Sequence, residues 1–170
     1  MGINQRAQIV MSPKEVAEFV QHSRTATVAS FGPGGMPHMV AMWYGVIGDA
    51  LYIETKAKSQ KATNLRRDPR MAFMIEAGTS YDTLRGVAFE GNAIIIEERD
   101  GQEYWDAAIS VYERYTAPYS PETRPMVERM MNKRIVVKLV PHRVRSWDHG
   151  KLGLDPIAAS GSTAAFIGKE

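Results

Sequence analysis

The 170-residue chain contains no cysteine, which excludes a disulfide framework, thiolate metal ligation, iron–sulfur chemistry and a cysteine nucleophile. Any redox chemistry must therefore use a borrowed cofactor. No stretch approaches the roughly 18 apolar residues of a membrane span, and Asn4, Gln5 and Arg6 stand where a signal peptide needs an apolar core. The expectation is a cytoplasmic protein that does not enter a membrane. Met1-Gly2 opens like a myristoylation signal, but Arg6 occupies the position that needs Ser or Thr. Neither charge sign dominates, with 21 basic against 19 acidic residues, and 44% hydrophobic content is that of an ordinary globular domain rather than a disordered chain.

Ser12-Pro13-Lys14-Glu15 is a helix start, with a capping serine, proline at the first helical position and Glu three residues after the cap. Val16, Phe19 and Val20 follow at helical spacing, which predicts a helix over 13–22. Residues 25–30 are small and β-branched, Gly32-Pro33-Gly34-Gly35 breaks them, and 38–47 form a second run, so the two are expected to pair as a hairpin. That second run carries apolar residues on both faces, Met39 and Met42 among them, and is expected to be buried on both sides. Gly48-Asp49 is a turn signal, and 50–55 supply the next strand. A short helix over 59–67 ends at Asp68-Pro69. Strands follow at 71–75 and 84–96, the second interrupted by Gly86 and Gly91, which mark a bulge or a close approach. A helix from Asp100 to about Tyr115, a proline-punctuated loop with a short helix, and a strand over 134–147 complete the order. Short turn-linked strands with few helices predict one mainly β domain over 1–152, an antiparallel barrel with flanking helices, since parallel strands would need a helix between most of them. Residues 153–170 read as a tail or arm.

Residues 55–70 hold six basic side chains against Asp68 alone, a local net charge of +5, whereas 90–113 hold seven acids against Arg99, a net of −6. The basic window lies at a strand end and a helix start, where free N–H groups and the helix dipole already favour an anion. Thr55 and Ser59 add hydroxyls, and Lys works there as a flexible point charge. A bound phosphate is the expected ligand. Nucleic acid is a poor fit, because one short cluster with few interleaved aromatics makes a weak footprint. Pro37 breaks any dinucleotide fingerprint in the Gly32–Pro37 loop. His22, His38, His142 and His149 lack metal-ligand spacing, and Asp148-His149 shows no nucleophile elbow. No metal and no hydrolytic site are expected.

Four segments, in order, resemble the flavin-binding split barrels of the pyridoxamine 5′-phosphate oxidase type, and within them the actinobacterial flavin/deazaflavin oxidoreductases. Gly35-Met36-Pro37 opens a strand similar to the one that lies along the flavin ring. Thr55-Lys56-Ala57-Lys58-Ser59-Gln60-Lys61 resembles the Thr-x-x-x-Ser-x-Lys phosphate segment. Leu84 to Ala93 resembles the Arg-x-Val-x-x-Glu-Gly-x-Ala strand, and Ser146-Trp147-Asp148-His149-Gly150-Lys151-Leu152 the closing tryptophan segment. The resemblance implies an antiparallel split β-barrel of the FMN-binding type and a homodimer with two cofactors at its interface. It implies ring contacts from Met39, Val40 and Ala41, phosphate contacts from Thr55, Lys56, Lys58, Ser59, Gln60 and Lys61, a backbone contact from Gly86, and Trp147 arriving from the neighbouring subunit. Trp43, Tyr44 and Lys151 are the implied substrate contacts.

The oxidase's ring strand carries an Arg and a Lys that are missing around 39–44, so oxidation of pyridoxamine phosphate is not expected. The added positive charge of Lys58, Arg66 and Arg67 is similar to the deazaflavin branch, whose coenzyme F-420 has an anionic tail. The implied activity is therefore hydride transfer from coenzyme F-420 to a conjugated or quinone-like small-molecule acceptor. FMN is the alternative cofactor, and a non-catalytic flavin or haem carrier the alternative role. The catalytic residues stay open: Tyr44, His38 and Tyr81 are candidate proton donors, each with a plainer structural role beside it.

Overall fold

A computed structural model describes residues 5–156. Two helices open the chain, α1 (Gln5–Ile9) and α2 (Pro13–His22). The second starts where the sequence predicts: Ser12 Oγ accepts from Glu15 N at 3.3 Å, and Glu15 Oε2 accepts from Ser12 N at 2.6 Å, the two halves of a capping box. Seven strands follow, β1 (Ala26–Phe31), β2 (Pro37–Met42), β3 (Gly45–Ile47), β4 (Ala50–Lys56), β5 (Arg70–Ala77), β6 (Arg85–Ile96) and β7 (Arg134–Asp148). Helix α3 (Gln60–Arg67) lies between β4 and β5, and α4 (Gln102–Tyr115) and α5 (Arg124–Met130) lie between β6 and β7.

All pairs are antiparallel, and the strand order is β2-β1-β5-β6-β7-β4-β3. The edge strands β2 and β3 are joined by Trp43 and Tyr44 alone. A link of that length reaches about 10 Å, while the edges of a flat seven-stranded sheet would lie about 29 Å apart. The sheet must therefore curl until its two edges meet, which makes the split barrel. Inside it Val28, Ile53, Phe73, Ile75, Val87, Val137 and Leu139 are each no more than 1% exposed, and each large side chain so buried contributes about 1.5–3 kcal/mol. A second cluster, Tyr52, Tyr104, Ala107, Tyr112, Val127 and Val136, fixes α4 and α5 on the outside of β4 and β7.

Two expectations are corrected. Residues 38–47 are not one strand: the chain leaves β2 at Met42 because Tyr44 turns into the core, fully buried, with its N–H donating to Tyr115 Oη at 3.0 Å. Nor is β2 buried on both faces. It is an edge, with Pro37, Met39 and Ala41 pointing outward and Met39 62% exposed. The glycines of β6 match their expected role. A bulge falls between Glu90 and Gly91, and a Cβ on Gly91 would meet Val140 O at 2.2 Å. The part of the expected tail from 157 onward lies outside the described residues.

Candidate functional site

Of the expected site residues, Thr55, Ser59 and Lys61 converge at the start of α3. Strands β3 and β4 pair in the register Gly45↔Tyr52, Val46↔Leu51, Ile47↔Ala50. Continued back into β2, that register would set Met42 opposite Thr55 and Ala41 opposite Lys56. Pairing stops at Gly45, and among the described residues β2 bonds only to β1. The outer edge of β2 around Met39, Val40 and Ala41 thus keeps free N–H and C=O groups among the described residues.

On the β4 side, Ser59 caps α3, its Oγ accepting from Ala62 N at 3.3 Å. The same Oγ lies 2.9 Å from Thr55 Oγ1, and Lys61 Nζ donates to Thr55 Oγ1 at 3.0 Å. Two hydroxyls and an ammonium thus converge at the first turn of a helix, the donor set that a phosphate needs. Burial, and after it the nearby Arg134 charge, hold the Lys61 ammonium below the usual lysine value. Helix α3 bridges the seam: Asn64 Nδ2 donates to Ser30 Oγ at 3.2 Å, and Arg67 donates to Phe31 O.

The other basic residues of the window divide. Lys58 is exposed, and Lys56 donates to Asn132 O at 2.8 Å, a contact that leaves its charge uncompensated. Gln60 is turned back along its own helix, donating to Asn64 Oδ1 at 2.8 Å. Arg66 is paired with Glu97, so the basic and acidic windows meet at that point and Arg66 offers little to a ligand. Arg70 is likewise paired with Asp68.

Gly86 and Trp147 lie elsewhere. They pair across β6 and β7, and a Cβ on Gly86 would meet the Trp147 indole at 2.3 Å. The space above Gly86 is filled by this chain's own tryptophan, not left for a cofactor. Thr55 pairs with Ile135, at the opposite end of β7, so roughly 40 Å of strand separates Trp147 from the phosphate residues.

The three expected substrate contacts also separate. Trp43 is 57% exposed at the end of β2 and stacks on Tyr115 with ring centroids 4.5 Å apart. Tyr44 is in the core, its hydroxyl donating to Val20 O at 2.7 Å, and burial pushes its phenol up to about 12. With no exposed surface and its hydroxyl committed to the Val20 and Ser23 carbonyls, Tyr44 holds up the core rather than facing a ligand. Lys151 is committed to Glu15 Oε2 at 2.7 Å and Val10 O at 2.9 Å, pinning the N-terminal segment. Tyr81 packs against His149, whereas His38 lies on β2 half-buried, with Nδ1 unpartnered among the described residues.

Sequence reasoning missed Glu54 and Arg134. Glu54 is 4% exposed with Oε1 unpartnered, and burial raises its carboxyl to about 7 against the opposing pull of Arg134. Arg134 stands opposite Lys56 on β7. Strand alternation already puts Glu54 on the face opposite Thr55, but nothing in the sequence pairs it with a residue eighty positions away.

The family model for pyridoxamine 5′-phosphate oxidase matches residues 12–148. A conserved hypothetical protein of Mycobacterium tuberculosis is similar at 57% identity and a TM-score of 0.89, covering 93% of this chain and 98% of its own. The fold is shared with the haem storage protein of Vibrio cholerae, at 15% identity, TM-score 0.65 and coverage of 81% and 97%. It is shared too with an F-420 reductase, at 20% identity, TM-score 0.57 and coverage of 78% and 98%. No curated protein matches the chain. With the family model spanning both sides of the seam and nearly the whole sheet, the chain belongs to the pyridoxamine 5′-phosphate oxidase family.

Proposed function

We propose that the protein is an oxidoreductase that binds the deazaflavin coenzyme F-420 in the barrel seam, at the interface of a homodimer, and serves hydride transfer to a conjugated or quinone-like acceptor. The observation that carries this reading is the Thr55–Ser59–Lys61 cluster at the start of α3, and the unpaired outer edge of β2 supports it. A flat ring system needs backbone donors and acceptors along one edge and a phosphate site at one end. When bound, the coenzyme supplies the hydride. The chain supplies the rest: Thr55, Ser59 and Lys61 hold phosphate, the β2 backbone at Met39, Val40 and Ala41 orients the ring, and the Met39 side chain excludes water from its face. The exposed cations Lys56, Lys58 and Arg67 suit an anionic tail beyond the phosphate. His38 is the proposed proton donor, because it lies on β2 next to Met39 with its buried Nδ1 unpartnered among the described residues. FMN is the alternative cofactor, since the same phosphate cluster serves it.

Titration of the purified protein with oxidised F-420 and, separately, with FMN, followed by tryptophan fluorescence, tests the reading. Tighter binding of F-420 is expected, weakened at least about tenfold by Lys61→Ala with Ser59→Ala while the fold is retained. A preference for FMN would transfer the activity to the flavin, and binding of neither would refute both.

A further inference from the structure

An enclosed run of polar side chains leads from the phosphate segment to β2. Gln60 Nε2 donates to Asn64 Oδ1 at 2.8 Å, and Asn64 Nδ2 donates to Ser30 Oγ at 3.2 Å. Asn64 and Ser30 are both buried. Arg67 Nη2 also approaches Asn64 Oδ1, at 3.5 Å, and a guanidinium only donates, so the amide is fixed with its NH2 group toward Ser30. Ser30 stands opposite His38 in the β1–β2 ladder. Opposed residues share a face of the sheet with Cβ atoms about 4.5–5.5 Å apart, within reach of a side-chain hydrogen bond. That face is the inner one, since Ala26, Val28 and Ser30 alternate as the buried residues of β1. On the far side of Ser30 the row continues to Met71, which offers only a thioether. His38 Nδ1 is enclosed with no partner among the described residues, and Ser30 Oγ keeps one lone pair beyond the one that Asn64 uses.

Resting on the reading of His38 as proton donor, we propose that Ser30, held by Asn64 and through it by Gln60, is the positioning residue of that histidine: its Oγ accepts from Nδ1–H, so that Nε2 is the nitrogen that gives up a proton. A rotation of the imidazole about its side-chain bonds closes the contact. A donor histidine carries a proton on both nitrogens, and the enclosed N–H needs an acceptor of its own. Ser30 Oγ is the one side-chain oxygen in the row that faces it. As the acceptor molecule takes up hydride with its two electrons, the Nε2–H bond breaks, the bonding pair stays on Nε2, and the proton passes to the acceptor atom that has gained negative charge. The ring is left neutral, with Nδ1–H still on Ser30. The same chain gives Gln60 a use: turned away from the phosphate, it holds the amide that holds the serine. A serine that merely closed the barrel beneath α3 would affect stability without setting the tautomer of His38.

Long-range proton–nitrogen NMR spectroscopy of the full chain reads the tautomer of the neutral ring, the His38 signals being those lost in His38→Gln. The wild type is expected to carry the proton on Nδ1, Ser30→Ala on Nε2, as an unrestrained imidazole does, and Ser30→Thr, which keeps the hydroxyl, on Nδ1 again. Asn64→Leu, which frees the Ser30 side chain to turn, is expected to show a mixture of the two. With reduced F-420 and benzoquinone, Ser30→Ala is expected to lower kcat about tenfold at unchanged KM, and Ser30→Thr to restore it. Circular dichroism checks that each variant is folded. A wild-type His38 protonated on Nε2, or a tautomer that Ser30→Ala leaves unchanged, overturns the proposal whether or not His38 donates. The expected tautomers together with full turnover of His38→Gln refute the donor reading, and the catalytic use of Ser30 with it.

Discussion

Gly86 and Gly91 read alike in the sequence, two glycines in one strand, and the alternation of β6 marks both as places where something comes close. Their neighbours differ in kind. Gly91 meets backbone, with Val140 O 2.2 Å from where a Cβ would stand, and Gly86 meets chiefly the side chain of Trp147 at 2.3 Å. Gly91→Ala is therefore expected to destabilise the fold by about 2–4 kcal/mol with no side-chain change able to relieve it. Gly86→Ala is expected to cost a similar amount, part of which Trp147→Ala recovers in a double-mutant cycle. Urea denaturation of the wild type, the three single variants and the two double variants that combine each glycine change with Trp147→Ala measures this, and equal recovery at both glycines would contradict it. The close approach was legible from one strand. What approaches was not, because the pairing of Gly86 with Trp147 is set by a register sixty residues away.

At the scale of elements, the clearest local signals were those whose physics is local. The capping box of α2, the Ser59 cap of α3 and the positive-φ Gly48 between β3 and β4 all fall where the sequence puts them. The break between β2 and β3 was not legible, since it depends on Tyr115, seventy-one residues on, which meets the Tyr44 N–H. Lys151 was misread for the same reason. Its position in the closing segment implies a substrate contact, while the fold sends it to Glu15 and Val10 O. Together with Ser146 Oγ, which accepts from Met11 N at 3.1 Å, it straps the α1–α2 segment across the end of β7. The hydrogen bond from Lys151, and after it those from Ser12, hold the Glu15 carboxyl down to about 2. A depressed acid contributes fully above its unfolded value of about 4.5 and loses that contribution as pH falls through 2. The strap is thus fully formed at neutral pH. At pH 6, Lys151→Met is expected to speed hydrogen exchange at the Met11 amide while leaving β5 amides protected. Unchanged exchange at Met11 would show that Ser146 alone holds the strap.

Across the whole molecule, strand alternation and turn spacing give an antiparallel barrel, but not the insertion of β5 between β1 and β6 that creates its outer face. That face consists of cross-strand rows, Met39–Ala29–Ala72–Glu90 and Ala41–Thr27–Met74–Ala88, small and apolar up to the Glu90 ion pairs with Arg143 and Arg145. An exposed sheet face of alanines and methionines is a surface that a partner would cover, and the proposed homodimer predicts that a second copy covers it. In the proposed homodimer, Trp147 of one chain would serve the seam of the other. Ala72→Arg places a charge in the middle of the rows without touching the barrel interior. The wild type is expected to sediment at twice the 19.0 kDa chain mass, and Ala72→Arg as a folded monomer that has lost tight cofactor binding although Thr55, Ser59 and Lys61 are intact. A monomeric wild type that binds the cofactor tightly would overturn both the dimer and the two-chain site. An Ala72→Arg monomer that retains full affinity would leave the dimer standing and confine the site to one seam.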